Sequence, residues 1–383
     1  MLTPIPFNKP YVTGREAGYI AEVLLSGKLS GDGVFTRQCQ QMLEKQYGFQ
    51  KALLTTSCTD ALEMAALLLN IREGDEVIAP SYTFVSTVNA FVLRGARIVF
   101  ADSNPLNPNI DTDTLESLIT PRTRAIVVIH YAGIASDMDK IMNLAHKHGI
   151  AVVEDAAAAI HSYYKGTPLG SIGTFGTFSF HETKNISSGE GGVLLLNDPR
   201  YFSRAEIIRE KGTNRAAFFR GEVNKYGWVD IGSSFLPAEI ISAFLYAQLE
   251  QITEIQKRRT AHWVAYQELL KPLAQQGLVQ LPDIPAYATN NAHAYYLVLK
   301  NRTQRTALIE WLKSKNIQTA FHYLALHKSP YFEGKYTGLE LKEADRYSDC
   351  LLRLPLFYEL KTAQIETICQ EIKSFLMQHE VSS

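Results

Sequence analysis

Hydrophobic residues in the first 250 positions follow two patterns. Short runs rich in Val, Ile and Leu predict strands, and longer segments with apolar residues on one face predict helices. Seven strands are predicted: 51–56, 76–79, 97–101, 125–130, 150–154, 176–180 and 192–196. Helices are predicted between them at 59–69, 85–93, 114–119, 138–147 and 200–210. Such alternation is typical of a mostly parallel sheet covered by helices on both faces.

Several predicted strands are apolar at every position, as in the runs IVVI at 126–129 and AVV at 151–153. A strand that alternates apolar and polar residues buries one face, whereas a continuously apolar strand is buried on both. The sheet is therefore expected to lie inside the molecule.

The pattern changes near residue 237, where a helical segment begins that reaches about residue 277 and predicts either one long helix or two. Beyond it, two strands and two helices are predicted, at 295–299, 318–321, 304–315 and 362–377. This mixture is typical of a smaller α+β unit. We therefore expect two domains, residues 1–250 and residues 251–383.

The composition narrows the possible partners. The chain has 383 residues, with 38 Lys and Arg against 39 Asp and Glu, for a formal net charge of −1. A chain without excess positive charge has no general attraction for nucleic acid or anionic lipid, so neither is expected as a partner. The apolar runs are shorter than the ~20 residues of a membrane-spanning helix, and the first residues lack a secretory pattern, so a cytoplasmic protein is expected.

Neither a disulfide nor a metal site is expected. The chain has four widely separated cysteines, which form no C-x-x-C pair: Cys39, Cys58, Cys350 and Cys369. That spacing argues against a disulfide framework and against structural zinc, so reduced thiols are expected. His181-Glu182 begins like the helix of a zinc protease, but Asn185 stands where the second histidine is needed.

Three segments carry candidate chemistry, and each begins where a predicted strand ends, which is where open α/β sheets bind ligands. Asp155, in AVVEDAAAAIHS, could keep a ring nitrogen protonated. Lys184 lies in FHETKNISSGEGG, where desolvation or a neighbouring cation would make its amine a Schiff-base nucleophile. The turn TSCTDALEM begins a helix whose free N–H groups, with the Thr59 hydroxyl, could bind a phosphate.

Each segment alone has an ordinary explanation: an acid that ends a strand in solvent, an exposed lysine, and a helix cap formed by Ser57 or Thr59. Asp60 suits the helix dipole but would repel a phosphate. Together, however, a lysine amine, an acid for a ring nitrogen and a phosphate cradle match the requirements of one cofactor, pyridoxal phosphate (PLP).

The same segments carry a family resemblance. TSCTDALEMAALLL, VVEDAAAAIHS, GTFGTFSFHETKN and REKGTNR resemble the DegT/DnrJ/EryC1 sugar aminotransferases, and the similarity runs along nearly the whole chain. The resemblance implies the PLP-dependent transferase fold type I, with PLP as the cofactor. It also implies a homodimer whose active sites lie at the interface.

The resemblance further implies roles for six residues. Lys184 would bind PLP covalently and act as the catalytic amine, and Asp155 would pair with the pyridine nitrogen. Phe84, in SYTFVS, would stack on the pyridine ring. The phosphate would be held by three further residues: Cys58, Thr59 and Ser179.

Within the family, FNKP, SGKLSGDGVFTRQCQQ and LLRLPLFY resemble the transaminases of dTDP-4-keto-6-deoxy-D-glucose in enterobacterial common antigen synthesis. This implies L-glutamate as the amino donor, and dTDP-4-amino-4,6-dideoxy-D-galactose and 2-oxoglutarate as the products. A related transaminase with another nucleotide, ring position or epimer stays open. So does a non-catalytic protein that binds a sugar nucleotide.

The sequence departs from the family pattern at two places. Ala158 stands where the family usually has Gln or His, which removes one hydrogen bond to the cofactor. Ser234 and Leu236 stand where many members have an Asn and a basic or amide residue that reach the partner subunit's phosphate.

Three other positions are weaker candidates, because each also has an ordinary structural explanation. Arg353 could hold the carboxylate of the donor, as an arginine does in amino-acid aminotransferases, or could be solvated. His130 could contact the cofactor or the sugar, or could be a hydrogen-bonded structural histidine. The basic loop at 209–215 could meet the nucleotide phosphates, or could be a charged surface turn.

Overall fold

The computed structural model describes residues 4–380, so residues 1–3 and 381–383 of the two predicted domains lie outside the described residues. The helices are α1 Glu16–Ser26, α2 Val34–Tyr47, α3 Cys58–Leu68, α4 Ser86–Val92, α5 Leu115–Leu118, α6 Met138–His148, α7 Phe202–Arg209, α8 Arg215–Phe219, α9 Glu239–Glu250, α10 Ile252–Gln275, α11 Arg302–Ser314, α12 Lys342–Cys350 and α13 Thr362–Glu380. The strands are β1 Lys51–Thr55, β2 Glu76–Pro80, β3 Arg97–Ala101, β4 Thr123–Ile129, β5 Ala151–Asp155, β6 Tyr163–Tyr164, β7 Thr167–Pro168, β8 Phe175–Ser179, β9 Gly192–Leu196, β10 Tyr295–Val298 and β11 Leu351–Leu354. The strands and helices predicted up to residue 210 are all present, and their ends differ from the prediction by two residues at most.

Seven strands form the large sheet, in the order β1-β9-β8-β5-β4-β2-β3. The pairs from β8 through β5, β4 and β2 to β3 are parallel. Only β9 runs the other way, between β1 and β8. The carboxyl ends of the other six strands therefore meet at one edge of the sheet, as the predicted mostly parallel arrangement requires.

The sheet is buried on both faces, which confirms the prediction made from its continuous apolar runs. Along β4, Ala125, Val127 and Ile129 belong to one hydrophobic core, and Ile126 and Val128 belong to the other. Helices α3, α4 and α7 contribute to the first core, and α2, α6 and α9 contribute to the second. The predicted fold class, a mostly parallel sheet between two layers of helices, is confirmed.

A smaller antiparallel sheet pairs β10 with β11. Helices α10, α11 and α13 pack around it in a third hydrophobic core. The long helical segment of the sequence forms two helices, because α9 ends at Glu250 and α10 begins at Ile252. Tyr296 of the small sheet belongs to the first core, so the two parts of the chain share apolar contacts. The domain boundary near residue 250 stays a prediction.

The prediction of a strand at 318–321 is wrong. Within this segment Ala320 alone forms a bridge, to Arg353, and Phe321 is 45% exposed, so the burial that a strand needs is missing.

Helices α1, α2, α8 and α12 and strands β6, β7 and β11 were not predicted. Helix α1 packs Val23, with Tyr19 and Ile20, against the rest of the chain. Leu24 and Leu25 are exposed, however, so its apolar residues do not form the single stripe by which an amphipathic helix is recognised.

No helix within residues 4–380 is long and apolar enough to cross a membrane. Across the same residues, no group of three or more His, Cys, Asp or Glu side chains could hold a metal ion. The thiols of all four cysteines are free and buried.

Candidate active site

The loops that follow β1, β2, β4, β5 and β8 meet at one edge of the large sheet, because the carboxyl ends of these strands coincide. A cavity of about 540 Å³ opens at that edge. All six residues with predicted roles line it: Cys58, Thr59, Phe84, Asp155, Ser179 and Lys184. Residues that are far apart in the sequence are thus brought into one site, as is usual for open α/β sheets.

The amino end of α3 lies at this cavity. Ser57 caps the helix, because its hydroxyl oxygen accepts a hydrogen bond from the Asp60 N–H at 3.0 Å. The N–H groups of the first turn have no partner within the helix, and the helix dipole adds positive potential there. The Asp60 carboxylate accepts a hydrogen bond from the Thr56 hydroxyl and is not part of the cavity wall. The repulsion expected between Asp60 and a phosphate is thereby reduced.

The side chains of the first turn are held by neighbours on other elements. The Thr59 hydroxyl donates to the Ser86 hydroxyl oxygen at 2.8 Å. The Cys58 thiol lies 3.4 Å from the Thr177 hydroxyl, and burial raises the pKa of this thiol well above its ordinary value. Because the thiol is buried and bonded to Thr177, the group with which Cys58 could bind a phosphate is its backbone N–H.

A close approach of backbones shapes this end of the cavity. Thr55, Gly192 and Ser179 lie side by side at the ends of β1, β9 and β8. A Cβ atom on Gly192 would lie 2.3–2.4 Å from backbone atoms of Ser57 and Cys58, so only glycine lets β9 pass this close to the start of α3. N–H and hydroxyl donors therefore surround a space with the chemistry of a phosphate cradle.

Asp155 ends β5 with its carboxylate buried and oriented. One carboxylate oxygen accepts a hydrogen bond from the Thr87 hydroxyl at 2.6 Å, and the other accepts one from the Ala157 N–H at 3.2 Å. Because Thr87 donates its proton to Asp155, the bond of 2.7 Å between Thr83 and Thr87 must have Thr83 as its donor. Thr87 was not predicted from the sequence, although it lies only three residues after Phe84.

Lys184 lies in the loop between β8 and β9. The loop is closed by two backbone hydrogen bonds, from the Lys184 N–H to His181 at 2.9 Å and from the Phe180 N–H to Gly191 at 2.8 Å. Since β8 pairs with β5, Lys184 and Asp155 enter the cavity from neighbouring strands. Phe84 enters from the loop after β2 and is 54% exposed, so one face of its ring is free to stack on a flat ligand.

The smaller part of the chain contributes an opposite wall, where Arg353 of β11 is 8% exposed. Its two terminal nitrogens donate to Nδ1 of His322 at 3.4 Å and to Nε2 of His293 at 3.2 Å. Its third nitrogen, Nε, has no hydrogen-bond partner. None of the ion pairs found within residues 4–380 includes Arg353, so this buried cation lacks a carboxylate. His293 belongs to no motif and was not predicted.

His130 lines the cavity and also forms the hydrogen bonds of a structural histidine. Its Nε2 lies 3.0 Å from the Glu154 carboxylate, and both side chains are fully buried. The Ser136 N–H donates to Nδ1, so the ring hydrogen is on Nε2 and points to Glu154. Glu154 also accepts the N–H groups of Gly170, Ile172 and Gly173 and so ties a loop to the strand.

The basic loop at 209–215 lies outside the cavity wall. Arg209 pairs with Asp32 at 2.8 Å, and Arg215 pairs with Glu210 at 2.9 Å. Ser234 and Leu236 are also absent from the wall, whereas Ala158 is part of it. Within one chain, the loop and the 234–236 segment therefore make no contribution to this cavity.

The residues present fit PLP. The donors around Gly192 match its phosphate, the buried carboxylate of Asp155 matches a protonated ring nitrogen, and the free face of Phe84 matches its aromatic ring. Lys184 provides an amine in the same cavity.

The comparisons with known proteins agree with this fit. A model of the DegT/DnrJ/EryC1/StrS aminotransferase family matches residues 10–373. The aminotransferase TlmJ from Streptoalloteichus hindustanus is 28% identical, with a TM-score of 0.90 over 98% of this chain and 100% of that chain. DesV from S. venezuelae is 27% identical, with a TM-score of 0.89 over 98% of this chain and 99% of that chain.

A third solved structure shares the fold. Helicobacter pylori PseC, an aminotransferase involved in the biosynthesis of pseudoaminic acid, is 24% identical, with a TM-score of 0.88 over 98% of this chain and all of that chain. Another chain of this fold has been solved in PLP and pyridoxamine phosphate forms. The predicted fold type I of PLP-dependent transferases is therefore confirmed.

The close approach at Gly192 predicts a selective loss of PLP binding. In Gly192→Ala the new Cβ displaces the start of α3, so PLP should bind at least about tenfold more weakly. The free energy of unfolding should fall by about 1–3 kcal/mol. Gly18→Ala is the matched control, because Gly18 lies in α1 with open space around it; about 0.5–1 kcal/mol of added stability is expected. Absorbance titration with PLP and urea unfolding measure both effects, and unchanged PLP affinity in Gly192→Ala would contradict the cradle.

Proposed function

Since the chain belongs to the DegT/DnrJ/EryC1/StrS aminotransferase family, we propose that it transfers an amino group from L-glutamate to C4 of dTDP-4-keto-6-deoxy-D-glucose. The products would be dTDP-4-amino-4,6-dideoxy-D-galactose and 2-oxoglutarate. Enzymes of this family depend on PLP. The observation that carries the proposal is the cavity itself, which joins Lys184, Asp155 and Arg353.

Lys184 is proposed to hold the cofactor and to move the proton. Its amine takes the proton from Cα of the donor and returns a proton to C4 of the acceptor sugar, so one group serves both halves of the reaction. Supporting this role, backbone hydrogen bonds hold the loop that carries Lys184, from Phe180 to Gly191 and from Lys184 to His181, and so fix the position from which the amine extends.

Asp155 is proposed to keep the pyridine nitrogen protonated. When bound, PLP supplies an electron-withdrawing ring that accepts electron density as the Cα–H bond breaks. A carboxylate with one oxygen bound to Thr87 and the other to the Ala157 N–H is oriented before any ligand arrives. Being buried, it interacts with a ring N–H far more strongly than an exposed ion pair would.

Arg353 is proposed to bind a carboxylate of L-glutamate. A second buried guanidinium, that of Arg259, lies close enough to Arg353 for their positive charges to interact. Burial, and then the charge of Arg353, lower the pKa of Arg259 to about 9. Neither has a carboxylate partner within residues 4–380, but Arg259 donates to backbone carbonyls, whereas Nε of Arg353 has no acceptor. Arg353, in the cavity wall, is therefore a buried cation without a compensating charge, which is costly. An anionic substrate group would compensate it.

The sugar acceptor is proposed from the sequence. The segments FNKP, SGKLSGDGVFTRQCQQ and LLRLPLFY carry the likeness to enzymes that act on dTDP-4-keto-6-deoxy-D-glucose. Phe7 and Asn8 of the first segment and Arg353 of the last line the cavity, so two of these three segments contain residues that can touch a substrate.

We also propose a homodimer, built from a PLP-binding domain of residues 1–250 and a smaller domain of residues 251–383. Trp228 is 83% exposed and Leu25 is 89% exposed, and further large apolar side chains are exposed near each of them. A second copy would cover such a surface. Light scattering should therefore give twice the chain mass of 42.9 kDa.

Removing the Lys184 amine should abolish turnover. After borohydride reduction of the PLP-loaded protein, the peptide that contains Lys184 should carry the cofactor mass, and Lys184→Ala should lose both the label and activity. Lys140→Ala is the control, because Lys140 is an exposed lysine paired with Asp113. Substantial steady-state transamination by Lys184→Ala would defeat the assignment.

Neutralising Asp155 should keep the fold and remove most activity. Asp155→Asn retains the side-chain shape but loses the charge that stabilises a protonated ring, so kcat should fall roughly 100-fold or more. Asp139→Asn serves as control, since its exposed pair with Lys165 lies on the surface. Circular dichroism checks the fold, and wild-type kcat in Asp155→Asn would contradict the role.

The substrate assignment is tested by the product. With PLP, L-glutamate and dTDP-4-keto-6-deoxy-D-glucose, NMR should find an axial amino group at C4, the galacto configuration. An equatorial amino group at C4, or an amino group at C3, would instead identify a related transaminase. A protein that binds the sugar nucleotide without producing any amino sugar would support the non-catalytic alternative.

A further inference from the structure

We propose that His293 is a positioning residue, which holds the guanidinium of Arg353 in the orientation that receives the donor carboxylate. The inference rests on the proposed role of Arg353 as the donor site. It adds a defined chain of hydrogen bonds, Asn185 to His293 to Arg353, that links this site to the loop of Lys184.

The hydrogen bonds around Asn185 determine which ring nitrogen of His293 carries the hydrogen. The Asn185 amide nitrogen donates to the Gln256 side-chain oxygen at 3.0 Å and to the Asn291 carbonyl at 2.8 Å. Its oxygen Oδ1 therefore remains as the acceptor and lies 3.1 Å from Nδ1 of His293. A nitrogen that faces an acceptor must donate, so Nδ1 of His293 carries the hydrogen.

The other ring nitrogen is then an acceptor. With its hydrogen on Nδ1, a neutral His293 presents a lone pair at Nε2, and the Arg353 guanidinium donates to it at 3.2 Å. Arginine has donors only, so no other tautomer of His293 could form this bond. The orientation of Arg353 thus depends on the amide of Asn185, two side chains away.

The surroundings keep His293 neutral. Burial lowers its pKa far below the ordinary value, and four positive or ionisable groups that face it lower it further: Lys184, Arg353, Arg259 and His322. These groups come from the loop after β8, from β11, from α10 and from the residue that follows the 318–321 segment. A proton on Nε2 would remove the acceptor for Arg353 and add a charge to this group of cations.

The second histidine on Arg353 is a weaker contact. His322 lies 3.4 Å from the guanidinium, its side chain is exposed, and desolvation and the Arg353 charge lower its pKa to about 4. The third guanidinium nitrogen has no partner. His293 therefore provides the shorter of the two bonds that orient Arg353, while a part of the guanidinium remains available to a ligand.

The position of Asn185 connects this chain of hydrogen bonds to the loop of Lys184. Asn185 follows Lys184 directly, and its amide also bonds to the backbone of Asn291, two residues before His293. The loop of the catalytic amine and the segment that supports Arg353 are thus joined by the same side chain. A shift of the Lys184 loop is therefore expected to move the segment that supports Arg353 as well, which keeps the distance between the amine and the bound donor constant.

Two substitutions of His293 separate its two hydrogen bonds. His293→Gln retains an acceptor near Nε2, for Arg353, and loses the donor near Nδ1. His293→Asn retains the donor near Nδ1, for Asn185, and loses the acceptor. Arg353→Met gives the size of the full effect, and His262→Gln is the control, because His262 is a buried histidine of α10 outside the cavity wall.

The measurement is the affinity of the PLP-loaded protein for glutarate, a dicarboxylate with no amino group to transfer, by calorimetry, together with the KM for L-glutamate. His293→Asn should weaken glutarate binding about tenfold and raise the KM for L-glutamate, with little change in the KM for the sugar. His293→Gln and His262→Gln should bind glutarate almost as the wild type does. Equal affinity in His293→Gln and His293→Asn, whether retained or lost, would overturn the inference.

The tautomer of His293 can also be measured in the wild-type protein, without any substitution. Neutron diffraction from the wild-type protein should find deuterium on Nδ1 of His293 and none on Nε2, and the reverse would overturn the inference. The donor proposal fails separately: if wild type and Arg353→Met bind glutarate alike, then Arg353 is not the donor site, whatever the tautomer of His293.

Discussion

The site depends on one constraint of the large sheet, the common direction of six of its seven strands. Because β1, β2, β4, β5 and β8 end at the same edge, the loops after them meet although they span more than a hundred residues of sequence. The antiparallel strand β9 adds the close contact at Gly192, which only a residue without a side chain allows. The N–H groups of α3, the Asp155 carboxylate and the Lys184 amine are therefore neighbours by topology.

The electrostatics of the cavity are divided between its two walls. The sheet edge supplies the Asp155 carboxylate and the N–H groups of α3, while the opposite wall supplies the buried Arg353, which has no carboxylate partner in the described part of the chain. A formal net charge of −1 for the whole chain gives no sign of this arrangement. The capacity to bind anions is local, and it depends on burial and on hydrogen-bond direction.

Much of this could be predicted from the sequence, for a physical reason. Strands buried on both faces are continuously apolar, so β4 and β5 were predictable, and Asp155 ends one such strand while Lys184 lies in the loop after β8. The 318–321 segment was mispredicted because it pairs with β11 at Ala320 alone, and continuous pairing, which a local pattern does not encode, decides whether a short segment becomes a strand. His293 and Thr87 were missed because their roles arise from contacts with distant residues, Arg353 and Asp155, and no local motif signals them.

The central claim is that this cavity binds an amino acid donor and removes its amino group. A single-turnover reaction tests it most directly, with PLP-loaded protein and L-glutamate but no sugar nucleotide. The account predicts that the visible absorbance of the bound cofactor falls and that one 2-oxoglutarate is released per active site. An unchanged spectrum without any 2-oxoglutarate would contradict it.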